Sequence, residues 1–363
     1  MSKPSILVLG GVGFIGRNLI VHLVENSLAS KIRVVDKVLP QTAWLTERQT
    51  KAFAGVEFVQ GNLTNAASTA NAFDNAGASF DFVINLAAET KYGQTEKIYE
   101  EKVLSLSVCV AKEAAKRGVK RFIEVSTAQV YSSDKDASTE TDKLNPWTTI
   151  AQYKLKAEEA IKGIAGLNYV IVRPAIVYGT GDLLGLTPRL IIGAVYKSLN
   201  EQMKLLWTEK LRLNTVHVDD VARALFYLTD HGNSGEIYNL ADKGDTSQDT
   251  VSTILDQIFG IKHSYAGSIQ SNLAKLNMKN ITEDVNESHM DPWSKLLKAD
   301  GIENTPLSPY LDQELLYNNN TTVDGSKIEK LGFSYTQPQL TKDALKNVVD
   351  EYVKLGLFPK SIL

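Results

Sequence analysis

The chain has a single cysteine, Cys109, in 363 residues. One thiol excludes an internal disulfide framework and suits a reducing compartment. Because Cys109 lies in an apolar helical run, it reads as packing rather than as a nucleophile. Charge of one sign is scarce too: 39 Lys and Arg against 42 Asp and Glu give a net charge of −3. No global basic field therefore argues for nucleic acid or an anionic membrane as a partner. No apolar run approaches the roughly 20 residues of a membrane span. The histidines His22, His217, His231, His263 and His289 are scattered without ligand spacing, so no metal site is expected, and His217 reads as a structural hydrogen-bonding residue. Gly-x-Ser-x-Gly is absent, as is any Ser/His/Asp order of a hydrolase. The first strand begins within a few residues of Met1, which leaves no room for a signal peptide. The C-terminal Ser-Ile-Leu lacks the basic middle residue of the peroxisomal Ser-Lys-Leu signal. The expectation is a cytoplasmic globular protein acting on a small molecule.

What is present is concentrated near the N-terminus, in Ile6-Leu-Val-Leu-Gly-Gly-Val-Gly-Phe-Ile-Gly16. Four apolar residues make a short buried strand. Gly10, Gly13 and Gly16 follow at a spacing of three, and Arg17 to Glu25 reads as a helix with Leu19, Ile20, Leu23 and Val24 on one face. Strand, glycine turn and helix N-terminus together suit a dinucleotide pyrophosphate, because glycine admits the phosphates and the helix end offers free N–H groups. The spacing is GxxGxxG rather than GxGxxG, so context decides. A second buried strand, Ile32 to Asp36, ends in an acid about 20 residues past the last glycine, where a carboxylate grips the adenosine ribose hydroxyls.

Strand and helix patterns alternate through the first half. Strands are expected at Val56–Gln60, Phe82–Leu86, Phe122–Ser126 and Tyr169–Arg173. Helices are expected near Ala66–Asn75, Glu96–Arg117 and Thr149–Gly163. This order predicts an α/β fold, a Rossmann-type doubly wound parallel sheet with its ligand at the carboxyl ends of the strands. After Val177 the rhythm breaks: a glycine-rich loop, a helix around Arg189–Leu199, a strand near Lys204–Trp207, a helix from Val216 to Asp230 and a return strand at Glu236–Leu240. Residues 262–320 read as polar and irregular, a lid or substrate wall with apolar anchors such as Trp293 and Tyr310. The expected division is a nucleotide-binding domain of residues 1–176 with about 212–241, and a smaller interleaved C-terminal substrate lobe of 177–211 and 242–363.

Several segments resemble the extended short-chain dehydrogenase/reductases, the superfamily of NAD-dependent epimerases and dehydratases. Gly10–Gly16 resembles their TGGxGFIG turn, Gln60–Leu63 their GD[IL] adenine contact with Asn62 for aspartate, and Asn85–Ala88 their HLAA strand end. Val125–Tyr131 resembles VSSxxVY, Arg173–Gly179 resembles RPxxVYG, and Val216–Val221 resembles VHVDDVA. Asp324–Ile328 with Leu331–Phe333 resembles the D-x-SK…LG[WY] close. The resemblance implies NAD held by Gly10, Gly13, Phe14, Ile15, Gly16, Asp36, Asn62, Leu63, Leu86, Ala87, Ala88, Lys156 and Pro174. NADP is the less favoured alternative, left open by Lys37 and Arg33. It also implies a homodimer through the helices at 96–117 and 149–163.

The family moves a proton with a tyrosine and a lysine spaced YxxxK, the lysine cation favouring the phenolate. Here the stretch reads Ala151-Gln-Tyr-Lys-Leu-Lys-Ala157, and the resemblance places Lys156 at the lysine with Gln152 four residues before it. Either a one-residue adjustment such as a π-bulge brings Tyr153 to the site, or Gln152 occupies it and ordinary redox chemistry is crippled. The expected catalytic set is Thr127, Tyr153 and Lys156, with Glu89, Thr90 and Gln129 at the substrate. In the preceding helix the family asparagine is missing from Leu104–Ala115. The readings are an NAD(P)-dependent oxidoreductase acting on a hydroxyl or carbonyl of a small, possibly hydrophobic substrate; a nucleotide-sugar epimerase or dehydratase with tightly bound NAD; and an NAD-binding protein without redox activity.

Overall fold

A computed structural model describes residues 3–133 and 136–363. The strands run β1 Ser5–Leu9, β2 Lys31–Asp36, β3 Glu57–Gln60, β4 Phe82–Asn85, β5 Arg121–Val125, β6 Tyr169–Pro174, β7 Ile176–Tyr178, β8 Met203–Leu205, β9 Thr215–His217, β10 Ile237–Leu240 and β11 His263–Tyr265. Seven of them form one parallel sheet in the order β10-β6-β5-β4-β1-β2-β3. The order reverses at β1, where Leu9 pairs with Val35 on one side and Asn85 on the other. A parallel sheet is covered on both faces, which explains the near-continuous apolar runs in β1, β2 and β4. One face carries helices Phe14–Glu25 and Val218–His231, packed through Leu19, Ile20, Leu23, Val221, Leu225 and Leu228. The other carries Leu106–Arg117 and Thr149–Lys162, with Val110, Ala114, Phe122 and Ile161 in the core. A second core, with Tyr178, Leu190, Val195, Trp207, Trp293 and Tyr352, lies among the C-terminal elements. No helix among the described residues is long and apolar enough to cross a membrane.

Two segments differ from expectation. The stretch read as irregular holds two helices, Gly267–Lys275 and Met278–Ala299, the second of 22 residues. Its buried positions Met278, Thr282, Asn286, His289 and Trp293 keep helical spacing, but three of the five are polar, so no hydrophobic period marks them. Asn286 substitutes hydrogen bonds for apolar contact, donating to the Leu311 carbonyl and accepting from its N–H, both at 2.9 Å. The expected Glu96–Arg117 helix is interrupted by a π-turn at Glu100–Ser105. The Thr149–Lys162 helix has no π-bulge and is α-helical throughout, its N-terminus capped by the Thr148 hydroxyl.

Candidate cofactor and substrate cleft

A cleft of about 880 Å³ opens over the carboxyl ends of β1, β2, β4, β5 and β6, at the point where the strand order reverses. Glycines shape its floor. Gly10 has φ +73°, and a Cβ there would lie 2.6 Å from the Ala87 nitrogen, so only glycine lets the β1 turn approach the end of β4. A Cβ on Gly16 would lie 2.5 Å from the Gly11 Cα, so the helix packs directly on the turn. Gly13 is the N-cap of Phe14–Glu25, with no side chain capping the helix. Its N-terminal N–H groups therefore face the cleft, which suits an anion. Asp36 is held by the Val12 and Val38 N–H groups, each at 3.0 Å on a different carboxylate oxygen, which leaves further lone pairs for a diol.

Of the residues expected at the cofactor, Gly10, Gly13, Phe14, Ile15, Gly16, Asp36, Asn62, Leu63, Leu86, Ala87, Ala88 and Pro174 all line this cleft, as do Thr127, Glu89, Thr90 and Gln129. Arg33 does not. Its guanidinium is buried on the far side of the sheet edge, donating to the Ala72 carbonyl at 3.1 Å and to Glu57 at 2.8 Å. Residues alternate across a strand, so a side chain three positions before Asp36 points to the opposite face, and Lys37 alone of the two cations lines the cleft.

The central correction concerns the helix Thr149–Lys162. Ile150 and Lys154 line the cleft, while Tyr153, Gln152 and Lys156 do not. Lys154 is buried and Lys156 exposed, because two residues apart on a helix are about 200° apart. Tyr153 is turned into the packing, its ring stacked on Tyr99 with centroids 6.0 Å apart. Lys156 lies outside it, its ammonium 4.0 Å from the Tyr153 ring centroid. The rotation is fixed one turn further on. Glu158, fully buried, pairs with the equally buried Arg173 of β6 and accepts from the Ser126 hydroxyl. Arg173 also donates to the Tyr131 hydroxyl at 2.8 Å. With Glu158 facing β6, positions 154 and 150 face the cleft. The detectable signal is the i, i+4 series Ile150, Lys154, Glu158 with Arg173 as partner.

Lys154 Nζ donates to the Val125 carbonyl at 2.7 Å and lies 3.5 Å from Glu124. Glu124, fully buried on β5, accepts from Asn85 at 2.7 Å and Ser107 at 2.9 Å. Burial pushes its carboxyl upward, against which Lys154 and these donors act. Sequence reasoning does not reveal this cluster, whose members Asn85, Ser107, Glu124 and Lys154 come from four separate elements. On the substrate side, Gln129 connects three hydroxyls. Its N–H donates to Thr127 at 3.2 Å, its side-chain amide donates to the Tyr92 hydroxyl at 2.9 Å, and its carbonyl accepts from Thr148 at 2.8 Å. Tyr92 lines the cleft, and burial pushes its phenol up to about 12. The far wall is apolar, with Trp147, Ile150, Leu211, Leu213, Leu315 and Tyr317. His217 stands outside the cleft, its Nδ1 accepting from the Asp219 N–H at the start of the Val218–His231 helix.

The model of the NAD dependent epimerase/dehydratase family matches residues 6–241. Among curated proteins, the dTDP-D-glucose 4,6-dehydratase of Dictyostelium discoideum is 28% identical over 258 residues, 65% of this chain and 58% of that protein. Vestitone reductase of Medicago sativa is 27% identical, covering 65% of this chain and 76% of the relative. The sterol-4-alpha-carboxylate 3-dehydrogenase of Candida albicans is 26% identical over 63% of this chain and 71% of the relative. Among solved structures, DesIV, a dTDP-glucose 4,6-dehydratase from Streptomyces venezuelae with NAD bound, superposes with a TM-score of 0.69 at 21% identity, covering 99% of this chain and all of that one, a likeness of fold. The chain thus spans little more than half the length of the Dictyostelium relative.

Proposed function

Since the chain belongs to the NAD dependent epimerase/dehydratase family, we propose that it binds NAD in this cleft and carries out redox chemistry on the hydroxyl or carbonyl of a small, largely apolar molecule. The observation that carries this reading is the cleft itself, a glycine-floored dinucleotide half joined to an apolar half, with Thr127, Gln129 and Tyr92 between them. The residues fit the cofactor. Gly10 and Gly13 leave room for a pyrophosphate at a helix N-terminus, Asp36 presents a carboxylate to the adenosine ribose, and Lys154 is the cleft cation for the nicotinamide ribose. When bound, NAD supplies the capacity to take up or release hydride.

The chain's own part is to hold an oxygen and move a proton. Thr127 offers its hydroxyl to the substrate oxygen. Four residues before Lys154, where the family carries its phenol, stands Ile150, which neither ionises nor donates. Tyr92 is the phenol that shares Gln129 with Thr127, and as a group protonated across the neutral range it serves as a proton donor in the reducing direction. The comparison with the sterol-4-alpha-carboxylate 3-dehydrogenase supports an apolar substrate, while the dTDP-D-glucose 4,6-dehydratase relatives support a nucleotide sugar as the alternative.

A second reading, NAD binding without turnover, is favoured by Ile150 alone. The two separate in one assay: purified chain, NADH and a panel of apolar ketones. Turnover supports redox function, and NADH binding with no turnover supports the second reading. The same proposal includes cytoplasmic residence, the division into domains at 1–176 with 212–241 and at 177–211 with 242–363, and a homodimer. The half-buried Leu104 and Val108, with Cys109 and Ala160, form a shallow apolar groove on the surface of the helices at 96–117 and 149–162 that a second copy would cover.

A further inference from the structure

The short helix Gly267–Lys275 turns its apolar residues outward. Ile269 is 82% exposed, Leu273 65% and Leu276, just past its end, 85%, the largest exposures of big apolar side chains among the described residues. Their spacing of four and three puts them on one stripe. The helix is not loosely attached. On its opposite face Ser271 is fully buried and accepts from the Trp207 N–H at 2.6 Å, and the Gly267 N–H donates to the Trp207 carbonyl at 2.9 Å. The inner face is thus polar and anchored, and the apolar face is left to solvent, the reverse of an ordinary surface helix.

The segment that carries this stripe has charge of one sign. From residue 257 to residue 282 there is no Asp or Glu, and the segment carries Lys262, Lys275 and Lys279 in a chain whose net charge is −3. All three are exposed, and none has an ion-pair partner among the described residues. The inner side of the helix adjoins the apolar end of the cleft. Lys275 Nζ is 6.0 Å from the ring of Tyr317, and Trp207 donates to the Leu316 carbonyl at 2.8 Å, while Leu315 and Tyr317 line the cleft.

We propose that this face docks on an anionic lipid surface, with Ile269, Leu273 and Leu276 entering the boundary between headgroups and acyl chains and the three lysines meeting the headgroups. An apolar stripe on a segment that carries lysines and no acid of its own matches such a layer in both terms. A second copy pairing through the same patch about a two-fold axis would set lysines against lysines.

The test uses the full chain without cofactor or substrate, so its result is independent of the redox reading. Sedimentation is followed with vesicles of phosphatidylcholine alone and of phosphatidylcholine with phosphatidylserine. The expected result is pelleting with the mixed vesicles only, reversed at about 1 M salt, where the screening length shrinks to about 3 Å. The triple variant Ile269→Asn, Leu273→Asn, Leu276→Asn and the double variant Lys275→Glu, Lys279→Glu, all at exposed positions and checked for an unchanged melting temperature, are expected to stay in the supernatant. The proposal is overturned if the wild type stays in the supernatant at low salt, or if the triple variant pellets as the wild type does. It is equally overturned if light scattering shows an oligomer that the triple variant dissolves, since a second copy then covers the stripe.

Discussion

Arg173 on β6 and Glu158 on the neighbouring helix form an ion pair with neither side chain exposed to solvent, and this pair sets which residues of the helix face the cleft. Two charges so deeply buried tolerate only one arrangement, because a lone member pays the full desolvation cost. With Glu158 held toward β6, Lys154 and Ile150 are carried to the cleft and Tyr153 into the packing against Tyr99.

Breaking the pair is therefore a stability experiment. Arg173→Met leaves the Glu158 carboxylate buried with only the Ser126 hydroxyl as a partner among the described residues, and is expected to cost about 3–5 kcal/mol. Chemical denaturation of the variant against the wild type reads it directly; a loss below about 1 kcal/mol contradicts the role given to the pair.

The assignment of the cleft lysine predicts a contrast between two neighbours. Lys154→Met loses a charge-assisted contact to the cofactor and is expected to weaken NAD binding by roughly tenfold or more. Lys156→Met, whose ammonium lies on the outer side of Tyr153, leaves affinity within about twofold. Calorimetric titration of both variants gives the comparison, and equal losses would refute the register.

At Gly10 the prediction is steric. A φ of +73° and a Cβ placed 2.6 Å from the Ala87 nitrogen mean that Gly10→Ala strains the turn and moves the end of β4. The variant should lose NAD binding while the remote Met278–Ala299 helix retains its hydrogen-exchange protection. Unaltered NAD affinity counts against the close approach.

The proton donor has its own signature. With the Tyr92 phenol pushed up to about 12, ketone reduction should show no loss of rate from that group between neutral pH and about pH 10. Tyr92→Phe should lower kcat by about 10²-fold or more, and Ile150→Tyr, which returns a phenol one turn before Lys154, should raise it in that background. A Tyr92→Phe variant as fast as wild type assigns the proton elsewhere.

His289 supplies a pH dependence of stability. Both ring nitrogens are buried without a hydrogen-bond partner, and burial lowers its pKa to about 4 from 6.5. The folded state therefore binds fewer protons than the unfolded one. Stability conferred above about pH 6.5 is lost as pH falls toward 4, by up to about 3 kcal/mol at 1.36 kcal/mol per unit. His289→Leu should flatten this slope in denaturation curves at pH 7, 5.5 and 4.5; an unchanged slope would place the titration in another group.

Much of this fold is written in local apolar runs, because strands of a parallel sheet are buried on both faces and the glycine turn has one steric solution. The cofactor half of the cleft is legible for the same reason: Gly10, Asp36 and Asn62 stand at strand ends, where position follows from the strand itself. Proximity in sequence brings Arg33 near Asp36, whereas strand alternation sends its side chain to the other face. The Ala-Glu-Glu that follows it favours Lys156 over Lys154, while the rotation of that helix is decided by Glu158 and Arg173, residues in contact only after folding. The Met278–Ala299 helix escaped notice because Thr282, Asn286 and His289 occupy buried positions that a hydrophobic period would otherwise mark.

The most direct measurement is a crystal structure of the chain with NAD bound. The account predicts Lys154 Nζ within about 2.7–3.2 Å of a nicotinamide ribose oxygen, Ile150 facing the nicotinamide, and Tyr153 still stacked on Tyr99. A structure with the Tyr153 hydroxyl or the Lys156 ammonium in the cleft, and Lys154 turned to solvent, would contradict it.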